Sequence, residues 1–297
     1  MSVAAESIEH REDRVTGILW MLVTMGCFLS LDTLMKYLLE TYPLVQVTWA
    51  RFFFATIVAA IIAGRNLPRV VRSQAPKLQL GRSMLLATTT GLFNGGVHLI
   101  PLATATTIMF LSPILVTVLS IPLLNEQVGP RRWLGIGIGF IGAVIVVQPW
   151  QAQLGVFEHG TLLLLAAALL NANYQIITRK VRLYDTPMTS LFYTAAVGAV
   201  VTTLIVPWHW QWPTAFHWLL FVGAGVAGGV GHLCLIQAFR RAPASVVAPF
   251  TYTSLVWAAF YGWIIFSEWP DLWTWTGAAL IIGSGLYIFH REGRKHP

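Results

Sequence analysis

A duplication constrains this chain more than any other feature. The stretch Pro101–Val147 recurs 142 residues later without a gap: Pro101 matches Pro243, Ser112 matches Ser254, Glu126 matches Glu268, Trp133 matches Trp275 and Gly135 matches Gly277. The earlier parts agree with small shifts, pairing Gly17 with Gly160, Lys36 with Arg179 and Pro43 with Pro187. The chain is a repeated unit of about 143 residues.

Each unit is too apolar for water. Hydrophobic residues make up 56% of the 297 positions and charged residues only 10%, against roughly 25% charge in a soluble domain. Most of the surface must therefore face lipid. A spanning helix needs roughly 20 apolar residues to cross ~30 Å of hydrocarbon. Ten candidate spans meet that demand, at about 16–38, 44–63, 81–99, 101–124, 130–147, 160–179, 187–206, 215–238, 243–266 and 272–290. The fold class expected is an all-α polytopic membrane protein. Residues 1–15 and 291–297 read as cytoplasmic tails and 148–159 as an outer linker between repeats 16–147 and 160–290.

Lys and Arg favour cytoplasmic loops. Of 19 basic residues, 17 fall before the first span, after the last, or in alternate loops between. The opposite loops hold none and carry Glu40, Glu158, Glu268 and Asp271. Both termini are expected in the cytoplasm. The basic pI of about 9.7 is thus explained by membrane topology, and no nucleic-acid partner is implied. Five spans per unit is an odd number, so the second copy enters the membrane inverted. Inverted repeats build secondary transporters, with the substrate site between the copies near mid-bilayer.

The run Pro101–Val147, with Ala103, Ala105, Pro113, Glu126 and a glycine-rich tail, resembles the EamA-type unit of the drug/metabolite transporter superfamily. Pro243–Phe289 resembles its second copy, with Leu255 where the first has Pro113 and Pro249 six positions earlier in register, so a kink in the ninth span is expected elsewhere than in the fourth. The resemblance implies ten helices, residence in the bacterial inner membrane as a monomer or weak dimer, and export or exchange of small metabolites. It is strongest to bacterial aromatic amino acid exporters. Other metabolites or cationic drugs are alternative cargoes in the same fold.

Three charges lie well inside the spans: Asp32, Lys36 and Arg51. Burying each costs at least ~2.5 kcal/mol on insertion scales, so they pair or face water. An Asp32–Arg51 clasp between the first two spans is expected, with Lys36 snorkelling outward. The other reading has the surplus positive charge attracting a substrate carboxylate. Ser30, Asn94, Thr107, Asn173, Gln237 and Tyr252 are uncharged polar residues at mid-span and stand as substrate-binding candidates, against simple interhelical hydrogen bonding. His98 and His232 read as packed histidines. Glu126 and Glu268 follow the long helix of each repeat at opposite faces and are gating candidates. With no basic neighbour in sequence, Glu268 is expected to cap a helix N-terminus, that of the tenth span being nearest.

Two glycine patterns, 137-139-142 and 223-225-228, match dinucleotide spacing but sit inside apolar spans, where small residues serve close helix packing. Nothing resembles a hydrolase motif or a metal-ligand set, and no cofactor is expected. An intramembrane enzyme or a channel remains the rival class. Cysteine labelling tests the topology: probes at positions 74 and 185 should react from the cytoplasm, and probes at 153 and 211 from outside. Two on the wrong side would overturn it.

Overall fold

The computed structural model describes residues 3–124, 130–147, 156–242 and 247–293. Within them the regular structure is helical, as lipid demands of backbone polar groups that have no water to bind. The helices are α1 (Val3–Leu39), α2 (Leu44–Ala63), α3 (Pro76–Leu99), α4 (Leu102–Met109), α5 (Leu111–Leu124), α6 (Pro130–Val147), α7 (Val156–Val181), α8 (Pro187–Ile205), α9 (Ala215–Arg241), α10 (Ser254–Phe266) and α11 (Leu272–Gly293). Six stretches are long and apolar enough to cross a membrane, and two shorter apolar helices, Trp133–Val146 and Phe250–Phe266, accompany them. Every expected span is occupied by helix among the described residues.

Local chemistry sets the boundaries. Pro187 opens α8 behind the Thr186 side chain, which accepts a bond from the Thr189 amide at 3.2 Å. Thr214 caps α9 in the same way, and Asp271 caps α11 through the Thr274 amide at 2.7 Å. The N-terminal tail, expected to precede the first span, is instead an extension of α1. Its Asp13 reaches Arg241 at the end of α9 at 3.7 Å, both half exposed.

The fourth span breaks at Phe110, between α4 and α5. Pro113 explains it, because a proline cannot donate to the carbonyl four residues earlier, that of Met109. The ninth span opens with a 3₁₀ segment, Ala248–Thr253, before α10. The kink expected at Pro249 is this segment, which contains that proline and also spans the position matching Phe110. Phe110 and Tyr252, 142 residues apart, meet edge to face with ring centroids 5.2 Å apart.

Packing obeys the same exchange of units. Helix α1 packs on α9 as α7 packs on α3, and α2 lies on α9 as α8 lies on α3. The pairs α2–α8 and α6–α11 map onto themselves. Gly17 faces Ala238 and Ala242, while Gly160 faces Gly96 and Ile100, each 142 residues earlier than its counterpart. Equivalent helices run antiparallel. Gly139 on α6 faces Ser284 on α11, whereas Val146 faces Gly277. The Trp49 indole on α2 donates to Thr203 on α8 at 3.0 Å, while Phe52 meets Gly198. Partners related by the repeat therefore point in opposite directions, as inversion requires.

Glycines permit these approaches. A Cβ on Gly277 would lie 2.6 Å from the Gly142 carbonyl oxygen, a backbone atom that cannot move aside. Gly225 and Gly229 leave room for Phe54 and Val58 of α2, so the glycine spacing in the eighth span serves packing. Gly277→Val should lower stability by about 1–3 kcal/mol, the usual effect of overpacking, read as a lower melting midpoint in detergent. Gly137→Ala is the control, since a Cβ there meets nothing within 4 Å. Equal midpoints for wild type and Gly277→Val would refute close packing at this seam.

Candidate functional site

Lys36 lies near the C-terminal end of α1 and is only 6% exposed. Its ammonium touches both carboxylate oxygens of Glu268 at 2.7 Å, donates to the Ile100 carbonyl at 3.1 Å and sits 4.8 Å from the centre of the Phe266 ring. It does not snorkel. The interior offers it a full set of acceptors, whereas snorkelling would leave Glu268 facing a gap between the repeats.

Backbone geometry presents Glu268. Ser267 closes α10 in the left-handed region, at φ 56°, a conformation that costs a non-glycine residue. The turn brings the Glu268 amide back onto the Gly262 carbonyl at 2.9 Å. The carboxylate then accepts from the Leu102 amide at 3.2 Å. Glu268 thus caps the N-terminus of α4, not that of α11 as sequence proximity suggested. The clasp joins α1 and the α3–α4 turn of the first repeat to the α10–α11 turn of the second. Lys36, Glu40, His98, Phe266 and Glu268 border a cavity of about 300 Å³ at this end. His98 is exposed there rather than packed. His232 is packed, with its Nδ1 2.9 Å from the Gly228 carbonyl oxygen and its ring edge-on to Phe28.

One turn deeper along α1, Asp32 faces Arg51 of α2 at 3.8 Å, each side chain about a fifth exposed (20% and 21%). The expected pair forms, but beyond hydrogen-bonding distance. Toward the opposite end stands Arg82, counted in sequence as a loop cation yet only 4% exposed. Its guanidinium donates to Thr178, Gln79, the Ser190 carbonyl, Thr194 and Tyr174 at 2.8–3.2 Å. A signal was available: Gln79 and Arg82 share a helix face, as do Tyr174 and Thr178. Gln79 continues the network to Ser190 and Asp185. Partial burial raises the Asp185 carboxyl, but bonds from Ser73, Gln74, Gln79 and Ala75 outweigh it and hold the pKa below the ordinary value.

Ser30 donates to Gly26 or shares a proton with the Tyr261 hydroxyl at 2.9 Å, linking α1 to α10. Its match Asn173 bonds only its own helix, at the Leu169 carbonyl. The residue matching Tyr261 is Leu119, which offers no hydroxyl. Asn94 is fully buried and donates to Thr48 at 3.1 Å, leaving its carbonyl oxygen without a partner. Thr107 is buried and bonded to Ala103. Gln237 and Tyr252 are half-buried. Among the described residues no hydrogen bond or ring contact joins any two of these six. Glu126 lies outside the described residues, and no group of three metal-ligating side chains occurs within them.

An EamA-like transporter family model matches residues 15–148 and again 159–289. The chain belongs to the EamA-like transporter family. It is a multi-pass membrane transporter and not an enzyme. An S-adenosylmethionine uptake transporter of Rickettsia felis is 31% identical over 286 residues, covering 95% of this chain and 96% of that one. A riboflavin transporter of Vibrio cholerae is 29% identical over 294 residues, covering 97% of both. One solved crystal structure superposes with TM-score 0.63 at 19% identity, over 97% of this chain and 99% of the other. That likeness concerns the fold. The relatives are named for S-adenosylmethionine and riboflavin, not specifically for aromatic amino acids.

Proposed function

We propose that this protein is a ten-helix secondary transporter of the bacterial inner membrane, with inverted repeats 16–147 and 160–290, cytoplasmic termini and alternating access. Its first cargo is an adenosyl compound of the S-adenosylmethionine type. The observation that carries this reading is full-length similarity to the Rickettsia felis transporter. Exchange-symmetric packing supports the mechanism, because two inverted units can trade conformations and move the opening from one face to the other. Flux through such a carrier runs down the cargo gradient in either direction, so uptake and export are one activity under different gradients. Amino acid export, including aromatic ones, is the second reading. The methionyl half of S-adenosylmethionine is itself an amino acid, which connects the two.

Counterflow into proteoliposomes distinguishes the cargoes. Vesicles preloaded with unlabelled S-adenosylmethionine should accumulate the labelled compound, saturably, and more than riboflavin- or phenylalanine-loaded vesicles accumulate theirs. Counterflow of phenylalanine alone would replace the adenosyl reading with the amino acid one. Flux that rises linearly without counterflow would mean a channel.

The bias of basic residues toward alternate loops puts the Lys36–Glu268 clasp at the outer face, where it acts as the outer gate. The register matches Lys36 with Arg179 and Glu268 with Glu126, so the sequence carries an equivalent base and acid to the inner end. Glu268→Gln removes a charge-assisted bond of about 1–3 kcal/mol and should shift the balance toward outward-open by roughly 5- to 150-fold. A cysteine probe on α10 then reacts faster from outside, and Lys36→Met produces the same change. Unchanged reactivity in both variants would reduce the clasp to a structural tie.

A further inference from the structure

Three cations are set into the helices around the repeat interface, and they differ in how fully they are satisfied. Lys36 has Glu268 and the Ile100 carbonyl. Arg82 has hydrogen bonds to five residues and a tyrosine ring beneath it. Arg51 has neither. Among the described residues its guanidinium makes no hydrogen bond, and its one counter-charge, Asp32, stands 3.8 Å away. Asp32 makes no hydrogen bond there either. The two lie about 10 Å from the nearer helix ends, at a rise of about 1.5 Å per residue. Charged groups at that depth face the protein interior or water rather than lipid. An ionised carboxylate offers about four acceptor sites and a guanidinium five donors, and nearly all of these are unused.

A second unused group stands beside them. Thr48 is three residues before Arg51 on α2, hence on the same helix face, and it holds Asn94 by that residue's amide nitrogen. The carbonyl oxygen of Asn94 is completely buried and has no partner. Such an orphan costs about 1–3 kcal/mol in a finished site, so its persistence marks a place where a donor belongs. An acid and a base thus stand one turn below the Lys36–Glu268 clasp, with a buried neutral acceptor tied to Thr48 on the same face of α2 as Arg51.

We infer that the Asp32–Arg51 pair binds the zwitterionic head of an α-amino acid moiety, with the ligand ammonium on Asp32 and its carboxylate on Arg51. No neutral head and no simple anion satisfies both residues at once. A lone anion would leave Asp32 repelling it, and a polyol would leave both charges without counter-ions. This inference rests on the transport reading above and sharpens it: S-adenosylmethionine carries such a head and riboflavin does not. The Asn94 carbonyl oxygen takes a further N–H of the same ligand.

The test uses the purified full chain in lipid nanodiscs with labelled S-adenosylmethionine as the probe, and its core needs no mutant. S-adenosylhomocysteine, which keeps the head, should displace the label. Decarboxylated S-adenosylmethionine and 5′-methylthioadenosine, which lack the carboxylate or the whole head, should be at least about tenfold weaker, equivalent to about 1.4 kcal/mol. Displacement by all three at equal concentrations overturns the inference and leaves the adenosyl transport reading standing. In monodisperse Asp32→Asn and Arg51→Gln proteins the preference for S-adenosylhomocysteine over 5′-methylthioadenosine should fall to within about twofold, while Asp32→Glu keeps it. An unaltered preference in both neutral variants also overturns it. If the label does not bind, labelled phenylalanine and riboflavin take its place. Phenylalanine binding that phenylalaninol cannot compete supports the head site and refutes the adenosyl cargo. Riboflavin binding that free amino acids leave undisturbed, or binding of neither compound, refutes the head site.

Discussion

A cation inside a hydrocarbon layer must be satisfied by protein or by water, because lipid offers it nothing. The interior of this transporter is arranged around that demand. Lys36 draws Glu268 across from the other repeat, and Glu268 in turn holds the first amide of α4. The left-handed Ser267 and the bond from Glu268 back to Gly262 exist to deliver that carboxylate. Losing one partner of such a pair leaves a buried charge uncompensated, with a penalty of about 3–5 kcal/mol. A conformational change that opens this end must therefore admit water to both groups as it separates them.

The near-exchange symmetry makes the departures from it informative. Where both copies place a glycine, as at Gly17 and Gly160, the facing residues correspond 142 positions apart. Where side chains differ, the units acquire separate roles. Ser30 finds Tyr261, whereas the position matching Tyr261 is Leu119 and Asn173 bonds the Leu169 carbonyl of its own helix. Arg82 is enclosed by hydroxyls and carbonyls without a carboxylate beside it, a saturated cation that fixes α3 to α7 and α8. The scaffold is symmetric, and the polar chemistry is not.

That division explains what was legible in the sequence. Spans, inversion and the segregation of basic residues depend on hydropathy and register, which local sequence states directly, and the helices fall where those patterns put them. The break at Phe110 follows from Pro113 alone. Its counterpart at 248–253 contains Pro249, the residue from which a kink in the ninth span was expected. Partners 232 residues apart, such as Lys36 and Glu268, cannot be read from neighbouring residues. Sequence proximity favoured the wrong helix N-terminus for Glu268. Arg82 was hidden for a related reason: six residues into α3 it counts as a loop charge, and only the fold shows α7 and α8 enclosing it.

The position of Asp32 relative to Lys36 connects recognition with gating. They are four residues apart on α1, so they share a helix face about 6 Å apart along the axis. Between Asp32 and that end of the bundle stand the Lys36–Glu268 ion pair, the Ile100 carbonyl, the Leu102 amide and the Phe266 ring. A ligand that neutralises Asp32 and Arg51 changes the field felt one turn away. An ammonium placed on Asp32 adds positive charge near Lys36, which favours keeping Glu268 close. On the proposed reading, an occupied site would reinforce closure at the Lys36–Glu268 end, whereas an empty one leaves the clasp to its own desolvation balance. Under the proposed alternating access, coupling of this sign would hold the gate at the Lys36–Glu268 end shut while cargo occupies the site.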